Sequence, residues 1–451
     1  MVRSHRSWMQ RSLFLVMLIL IPLADQRAPA APAGGPVADW PAYGNDAGGA
    51  RYSPLTQITR DNVSRLTVAW TYRTGDVSDG SDLKSGSKSA GPTAFEATPI
   101  LADDTLYVCT PFNRVIALDP ETGRERWVYD PKINLSIKYA NQAICRGVST
   151  WLDAQRSATQ PCRRRIFMGT NDARLIAVDA ATGHPCADFG TDGQVDLTVG
   201  VGPLQIGAYQ EYQVTSPPAV VDDLVVVGSA ISDNQRIDAP SGVVRAYDTR
   251  SGRLRWKWDP LPPGVNTPAG AVPDGPNPVH LGTANAWSIL SVDPDRHLVF
   301  VPTGNTSPDF YGGERHGSDF YSSSTVALRA ATGEVVWHFQ TVHHDLWDYD
   351  VPAQPTLVTV RRNGVDIPAV AQATKMGHVF LLNRDTGEPL FPVEERPVPQ
   401  NGVPGEELSP TQPFPTAPPP LVPERLSPDD AWGLTPFDRA ACRKRIAQYR
   451  Y

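Results

Sequence analysis

A short phrase recurs along this chain and limits its fold more than any other feature. It reads apolar-apolar-Asp-x-x-Thr/Ser-Gly-x-x-x-Trp. It occurs as ALDPETGRERW (Ala117–Trp127), AYDTRSGRLRW (Ala246–Trp256) and, with Arg329 in the Asp position, ALRAATGEVVW (Ala327–Trp337). Weaker copies are AVDAATGHPCA (Ala177–Ala187) and LLNRDTGEPLF (Leu381–Phe391). The turn glycines Gly123, Gly183, Gly252, Gly333 and Gly387 are spaced by 60, 69, 81 and 54 residues. A supersecondary unit recurring at such intervals indicates a radial or stacked repeat fold. Each copy parses as a strand ending in Asp, a tight turn closed by Thr-Gly, and a strand opening on Trp. Glycine supplies the positive φ that the turn needs. The tryptophan is a wedge large enough to fill the space between neighbouring sheets. This pattern predicts an all-β protein, a β-propeller of four-stranded antiparallel blades.

The segments between the phrases fit that reading. Pro99–Asp119, Arg163–Asp179, Pro218–Asp248, His297–Ala330 and Ile367–Asp385 each pair two apolar strands across a Gly- or Asn-containing turn. Five units are visible, together with an early strand at Leu66–Gly75 that carries Trp70. The period exceeds the roughly 40–45 residues of WD40 repeats. A Gly/Ser tract at Asp76–Gly91 reads as a loop. The chain has 44 prolines, and 12 of them fall between Pro392 and Pro428. That density predicts a long irregular insertion at 392–428, because proline cannot donate to a strand ladder.

Residues 1–33 read as a secretory signal. Arg3, Arg6 and Arg11 precede the apolar Leu13–Ile21, and Ala28–Ala33 offers small residues for cleavage. The apolar run is too short to span a bilayer, although retention as an N-terminal anchor is the alternative. The expected location is periplasmic, with the propeller domain occupying 34–451. A net charge of −7 and a pI near 5.7 exclude the electrostatic footprint of a nucleic-acid binder. None of the five cysteines has zinc-site spacing. Export permits disulfides, and the odd count leaves at least one thiol without a partner in this chain. CxxCH is absent, which excludes a covalently bound c-type haem.

Eight phrases then occur in a fixed order: FEATPI (Phe95–Ile100), CRGV (Cys145–Val148), SPPAVV (Ser216–Val221), GSAISDN (Gly228–Asn234), NAW (Asn285–Trp287), TGNTSPD (Thr303–Asp309), HHDLWDYDVPAQP (His343–Pro355) and ATKMGHVFLL (Ala373–Leu382). Together they resemble the quinoprotein dehydrogenases, which carry pyrroloquinoline quinone (PQQ) on the axis of an eight-bladed propeller. The likeness is greatest to the membrane-type glucose dehydrogenase branch and its quinate and polyol relatives. It implies oxidation of a sugar, polyol or cyclic alcohol, with electrons passed to a quinone or other periplasmic acceptor. Peripheral membrane association is part of that expectation.

The cofactor's chemistry can be matched to residues. A flat quinone with three carboxylates wants an aromatic face and cations at its rim. By resemblance, Trp287 is the stacking face, Arg146 binds the cofactor's carboxylates, Glu96 lies at the cofactor edge, and Thr215 and Ser216 supply hydroxyls. Lys375 matches the cation that touches the quinone oxygens and would stabilise the reduced anion. A Lewis acid, Ca²⁺ or Mg²⁺, wants oxygen ligands; Asp233, Asn234 and Asn305 match the metal loop, joined by Asp348. Asp348 also matches the catalytic base. On sequence alone Asp345 and Asp350 are equal candidates, and only family position separates the three.

His343 and His344 read as adjacent strand residues on opposite faces, shaping the pocket and not ligating a metal. Two departures stand out. The alcohol-oxidising branch caps the cofactor with adjacent cysteines, which this chain lacks. The glucose-oxidising branch has a histidine four residues before the arginine of CRG, where Gln142 stands here. The count of units predicts an incomplete ring of about five to six blades. The alternative to an enzyme is a non-catalytic propeller scaffold or an inactive truncated homologue.

Overall fold

The three strongest copies of the recurring phrase fold as a bulged strand, a tight turn and an outer strand. The computed structural model describes residues 39–81, 91–202, 204, 209–234, 236–263, 282–315, 318–423 and 426–449. The signal reading of residues 1–33 lies outside these, as does most of the Gly/Ser tract. In the three strongest copies the ladder shifts register at the same place, between Ala117 and Leu118, Ala246 and Tyr247, and Ala327 and Leu328. A bulge there sharpens the local twist and aims the chain into its turn. The Asp119 carboxylate then accepts from Thr122 N and Oγ1 at 2.9 and 2.8 Å. Asp179 does the same for Thr182, and Asp248 for Ser251. The glycine closes the turn at positive φ, 68° at Gly123 and 74° at Gly333.

Four antiparallel sheets of four strands follow in chain order. The first comprises Ile100–Ala102, Thr105–Cys109, Val115–Leu118 and Glu125–Tyr129. The second comprises Ser149–Leu152, Arg164–Gly169, Arg174–Asp179 and Gln194–Asp196. Ala219–Val221, Leu224–Val227, Val244–Asp248 and Leu254–Trp258 form the third. Ser291–Asp293, Leu298–Pro302, Ser324–Arg329 and Val335–Gln340 form the fourth. A fifth sheet has three strands, Thr356–Arg362, Val365–Ala373 and Val379–Asn383. From the second sheet to the fifth, the first strands of successive sheets are neighbours, which places them on the inside of the array. All five expected units are therefore present.

The core is a series of layers between sheets. One layer joins Tyr107, Val115 and Ala117 to Ile166, Ile176 and Val178. Further layers join the second sheet to the third, the third to the fourth and the fourth to the fifth. The phrase tryptophans lock these layers from outside. Trp127 lies against Gly183 and donates to Ala180 O at 3.0 Å. Trp256 lies against Gly333 and donates to Ala330 O at 2.7 Å. Trp337 does so at Gly387 and Arg384 O, 3.0 Å. A Cβ on any of these glycines would sit 2.5–2.6 Å from the indole, closer than atoms pack. The glycine thus serves the turn and the next blade's wedge at once. The second unit has Ala187 in the tryptophan position, and there Gly252 packs on Gly190 instead.

Three expectations need correction. Leu66–Gly75 is extended but forms no ladder with any described residue. Its Trp70 still acts as a wedge, lying against Gly123 and donating to Pro120 O at 3.1 Å. The proline-rich stretch 392–428 is not wholly irregular: Val393–Pro397 pairs with Thr411–Pro415 as a two-stranded sheet. Prolines fit because an isolated two-stranded ribbon has only edge strands. His343 and His344 lie in a turn, not on a strand, and His344 has a φ of 44°.

Two disulfides join Cys109 to Cys145 and Cys162 to Cys186, leaving Cys442 free, as an odd count requires. A helix at Pro436–Ile446 is capped by Thr435, whose side chain accepts from Asp438 N while Asp438 reaches back. Among the described residues no helix is long and apolar enough to cross a membrane.

Candidate functional site

Two sets of segments converge on a cavity of about 320 Å³, at the lower end of the roughly 300–1,000 Å³ usual for small-molecule sites. The first set leads into the innermost strand of each sheet. It supplies Glu96, Arg146, Thr215, Trp287, Asp348 and Asp350. These lead-in segments are tied to one another across sheets. Thr98 N donates to Arg146 O at 3.0 Å, and Arg146 N to Thr215 O at 2.9 Å. Ser216 Oγ donates to Trp287 O at 2.6 Å, and Ser288 Oγ to Pro352 O at 2.5 Å. The second set joins the second and third strands of a sheet and supplies Asp233, Asn234, Asp309 and Lys375.

Charged contacts tie the lining together, and Lys375 joins the second set to the first. Arg146 packs its guanidinium 4.9 Å from the Trp287 ring centroid. It also donates to Glu96 Oε2 at 3.1 Å and Thr215 Oγ1 at 2.7 Å. Burial pushes the Arg146 pKa below its ordinary value, with Glu96 opposing that shift. Trp287 Nε1 donates to Asp350 Oδ2 at 2.5 Å, so this indole is oriented by a carboxylate and is not a blade wedge. Lys375 Nζ lies 2.5 Å from Asp350 Oδ1 and 3.2 Å from Asp348 Oδ1. It also donates to Asp348 O at 2.6 Å. Asp348 has a φ of 56°, the left-handed region.

Opposite this pair, Asp233 accepts from Asn285 Nδ2 at 2.6 Å. Asn285 Oδ1 and Asp309 Oδ1 are buried and accept no hydrogen bond from the described residues. Buried acceptors are almost always satisfied, and both residues belong to the lining of the one cavity. Burial, then the Asp350 charge, raises Asp233; burial, then the Asp233, Asp348 and Asp350 charges, raises Asp309. Burial pushes Asp350 up to about 6 despite Lys375. Uncompensated negative charge is what a bound divalent ion relieves.

A family model described as the β-propeller domain of PQQ-dependent glucose, ethanol and alcohol dehydrogenases matches residues 40–451. The chain belongs to this quinoprotein family. Quinoprotein glucose dehydrogenase from Escherichia coli K12 is 40% identical over 424 residues, which is 92% of this chain and 51% of that protein. The glycerol dehydrogenase large subunit of Gluconobacter oxydans is 42% identical, over 96% of this chain and 56% of that protein. The chain thus spans about half the length of the curated relatives it matches. Among solved structures, the quinohemoprotein alcohol dehydrogenase of Comamonas testosteroni is 28% identical with a TM-score of 0.63. That similarity covers 84% of this chain and 52% of that chain.

Of the residues singled out in this quinoprotein sequence, Glu96, Arg146, Thr215, Asp233, Asn234, Trp287, Asp348 and Lys375 line the one cavity. Ser216 and Asn305 do not. Ser216 lies behind Trp287 and is spent on its carbonyl. Asn305 Oδ1 accepts from Ser322 Oγ at 2.8 Å and Thr306 N at 3.0 Å. Its Nδ2 donates to the carbonyls of Asp309 and Asp345. Asn285 and Asp309 were missed as cavity residues, although both fall inside the phrases NAW and TGNTSPD. Gln142, the residue in the family's histidine position, lines the cavity as well. Asp345 is turned away, held by Ser323 Oγ at 2.8 Å and Trp347 N at 2.9 Å.

A titration follows from the three raised carboxylates. A carboxyl raised on folding keeps its proton where the unfolded chain has lost it, so its contribution favours folding at low pH. That contribution is lost as pH climbs from the ordinary 3.8 through about 6 for Asp350. Cations compete with those protons. Millimolar Ca²⁺ should therefore raise the melting temperature more at pH 7.5 than at pH 5, and less in Asp309→Asn. Equal increments at both pH values would count against a cation among these carboxylates.

Proposed function

We propose that the cavity binds PQQ together with Ca²⁺ or Mg²⁺ and supports oxidation of an alcohol group on a sugar, polyol or cyclic alcohol. The observation that carries this reading is the convergence of Trp287, Arg146 and Lys375 with Asn285 and Asp309, each holding a buried partnerless oxygen, in the lining of one cavity. A flat polyanion fits the first group and a hard cation the second. Trp287 and Arg146 would hold the ring system and its carboxylates, with Glu96 and Thr215 keeping the guanidinium in place. Asp233, Asn234 and Asp309 would hold the cation, with Asn285 offering Oδ1. When bound, the cofactor supplies a two-electron acceptor and the cation the polarisation that makes it reactive.

The chain's own residues do the proton chemistry. Asp348 accepts the hydroxyl proton of the substrate. Lys375, fixed between Asp348 and Asp350, positions that carboxylate and places positive charge where negative charge develops. Asp350 fixes the Trp287 edge and neutralises Lys375. The electron acceptor is a quinone or another periplasmic carrier, a reading supported by the similar quinate/shikimate dehydrogenase (quinone) of Acinetobacter baylyi. The basic, then apolar, then small-residue order of residues 1–33 supports export and a periplasmic location, with peripheral membrane association.

Titration with PQQ in the presence of Ca²⁺ should quench tryptophan fluorescence saturably, and chelation should reverse it. Most of the quenching should disappear in Trp287→Phe, and affinity should fall about 10–100-fold in Arg146→Met, the loss of one charge-assisted contact. Undiminished quenching in Trp287→Phe would remove the stacking assignment.

A further inference from the structure

Beside the cavity lies a larger groove of about 870 Å³. At three places consecutive residues divide between the two spaces. Asp309 faces the cavity and Phe310 the groove; Asp348 faces the cavity while Trp347 and Tyr349 face the groove; Lys375 faces the cavity and Met376 the groove. The groove therefore shares a wall with the site, built from the residues that flank its base and its lysine. Its far wall comes from the proline-rich excursion, with Val403, Leu408 and Phe414.

Several polar side chains of this groove are already engaged with the protein, whereas the Tyr349 hydroxyl and the Asn401 amide have no hydrogen bond to any described residue. Glu406 Oε1 pairs with His344 Nε2 at 2.7 Å, and its Oε2 accepts from Gly312 N at 2.8 Å. Gln412 is used at both ends, by His343 N at 2.8 Å and His343 O at 2.7 Å. Ser409 Oγ donates to Thr411 O, and Thr341 Oγ1 to Ser323 O. These bonds also pin the excursion to the 341–344 turn. What the groove chiefly offers a ligand is aromatic and aliphatic surface, with Trp347 74%, Phe310 61% and Val403 60% exposed.

We propose that this groove binds the hydrophobic body of the alcohol whose hydroxyl reaches Asp348. The substrate is then an alcohol with a cyclic, aromatic or alkyl body, and not a free hexose or a short polyol. A sugar would give up water around each of its several hydroxyls and find few side-chain partners, chiefly Tyr349 and Asn401, because Glu406, Gln412, Ser409 and Thr341 are already paired. An apolar body loses nothing on leaving water and covers Trp347 and Phe310. This inference rests on the assignment of Asp348 and the cavity given above.

The test uses tertiary alcohols, which lack the carbinol hydrogen and cannot be oxidised. Isothermal titration of the full chain, with and without PQQ and Ca²⁺, would compare tert-butanol, 1-methylcyclohexanol, 2-phenyl-2-propanol and glucose. Affinity should climb about fourfold per added methylene, with no binding of glucose. Trp347→Ala should weaken 2-phenyl-2-propanol about tenfold, and Val403→Asp should weaken it too, while PQQ affinity stays unchanged in both. A flat series, or glucose binding as tightly as the apolar alcohols, overturns the proposal. If the series climbs but no secondary alcohol of the same shape is oxidised by the loaded chain, the groove is an apolar ligand site and the dehydrogenase reading is what fails.

Discussion

Asp348→Asn is expected to lower kcat by about 10²–10⁴-fold, the usual worth of a positioned general base, with PQQ affinity and melting temperature close to the parent chain. The amide keeps the shape of the carboxylate and cannot take a proton. Its side chain is 44% exposed, so little packing depends on it. The local backbone is also tolerant: the φ of 56° is one that Asn adopts as readily as Asp. Steady-state turnover and differential scanning fluorimetry on the same preparations would separate chemistry from folding. Asp350→Asn is the informative control. It removes the partner of Trp287 Nε1 and Lys375, so it should act through cofactor binding. Full activity in Asp348→Asn, with activity lost in Asp345→Asn, would assign the base to the wrong residue of the turn.

Lys375→Met should be damaging in two distinguishable ways. Turnover should fall by about 10²–10³-fold, as when one preorganised donor to a developing anion is removed. Stability should fall as well, because the Asp350 carboxylate is 4% exposed and loses its cation. Breaking a buried pair costs about 3–5 kcal/mol; Lys375, 30% exposed, belongs at or below the lower end. The pH dependence identifies the cause. Asp350 already titrates near 6, and without Lys375 its pKa climbs further. Below that value the carboxyl is neutral in both proteins, so the stability deficit should shrink at pH 5 and widen at pH 7.5. Adding Asp350→Asn to Lys375→Met should restore stability without restoring turnover. A deficit independent of pH would place the effect in lost packing.

Much of the architecture was legible because its cause is local. A tight turn at positive φ needs glycine, a carboxylate before it caps the turn in three copies, and the bulge recurs at one place in three copies. That grammar located all five sheets. The helix at Pro436–Ile446 was equally readable from Thr435, Pro436 and Asp438 and went unread. The Trp70 segment was misassigned for the opposite reason. An apolar alternation shows that a segment can be a strand, but a ladder needs a partner, and none of the described residues provides one.

The sequence by itself determined the repeat, the all-β class and, through eight ordered phrases, the quinoprotein family. It also marked the neighbourhoods of Arg146, Trp287, Asp348 and Lys375. Only the tertiary structure decided which polar atoms within those neighbourhoods face the cavity. Asn285 and Asn305 both lie in telling phrases, yet one lines the cavity with a partnerless oxygen and the other lies outside it, consumed by Ser322 and Thr306. Asp345, Asp348 and Asp350 were indistinguishable on paper. Their separation comes from a turn that sends Asp345 to Ser323 and the other two to Lys375. The physical reason is general. Periodicity and turn chemistry act between residues a few positions apart, whereas a buried hydrogen bond is allotted among groups that meet only when the sheets pack.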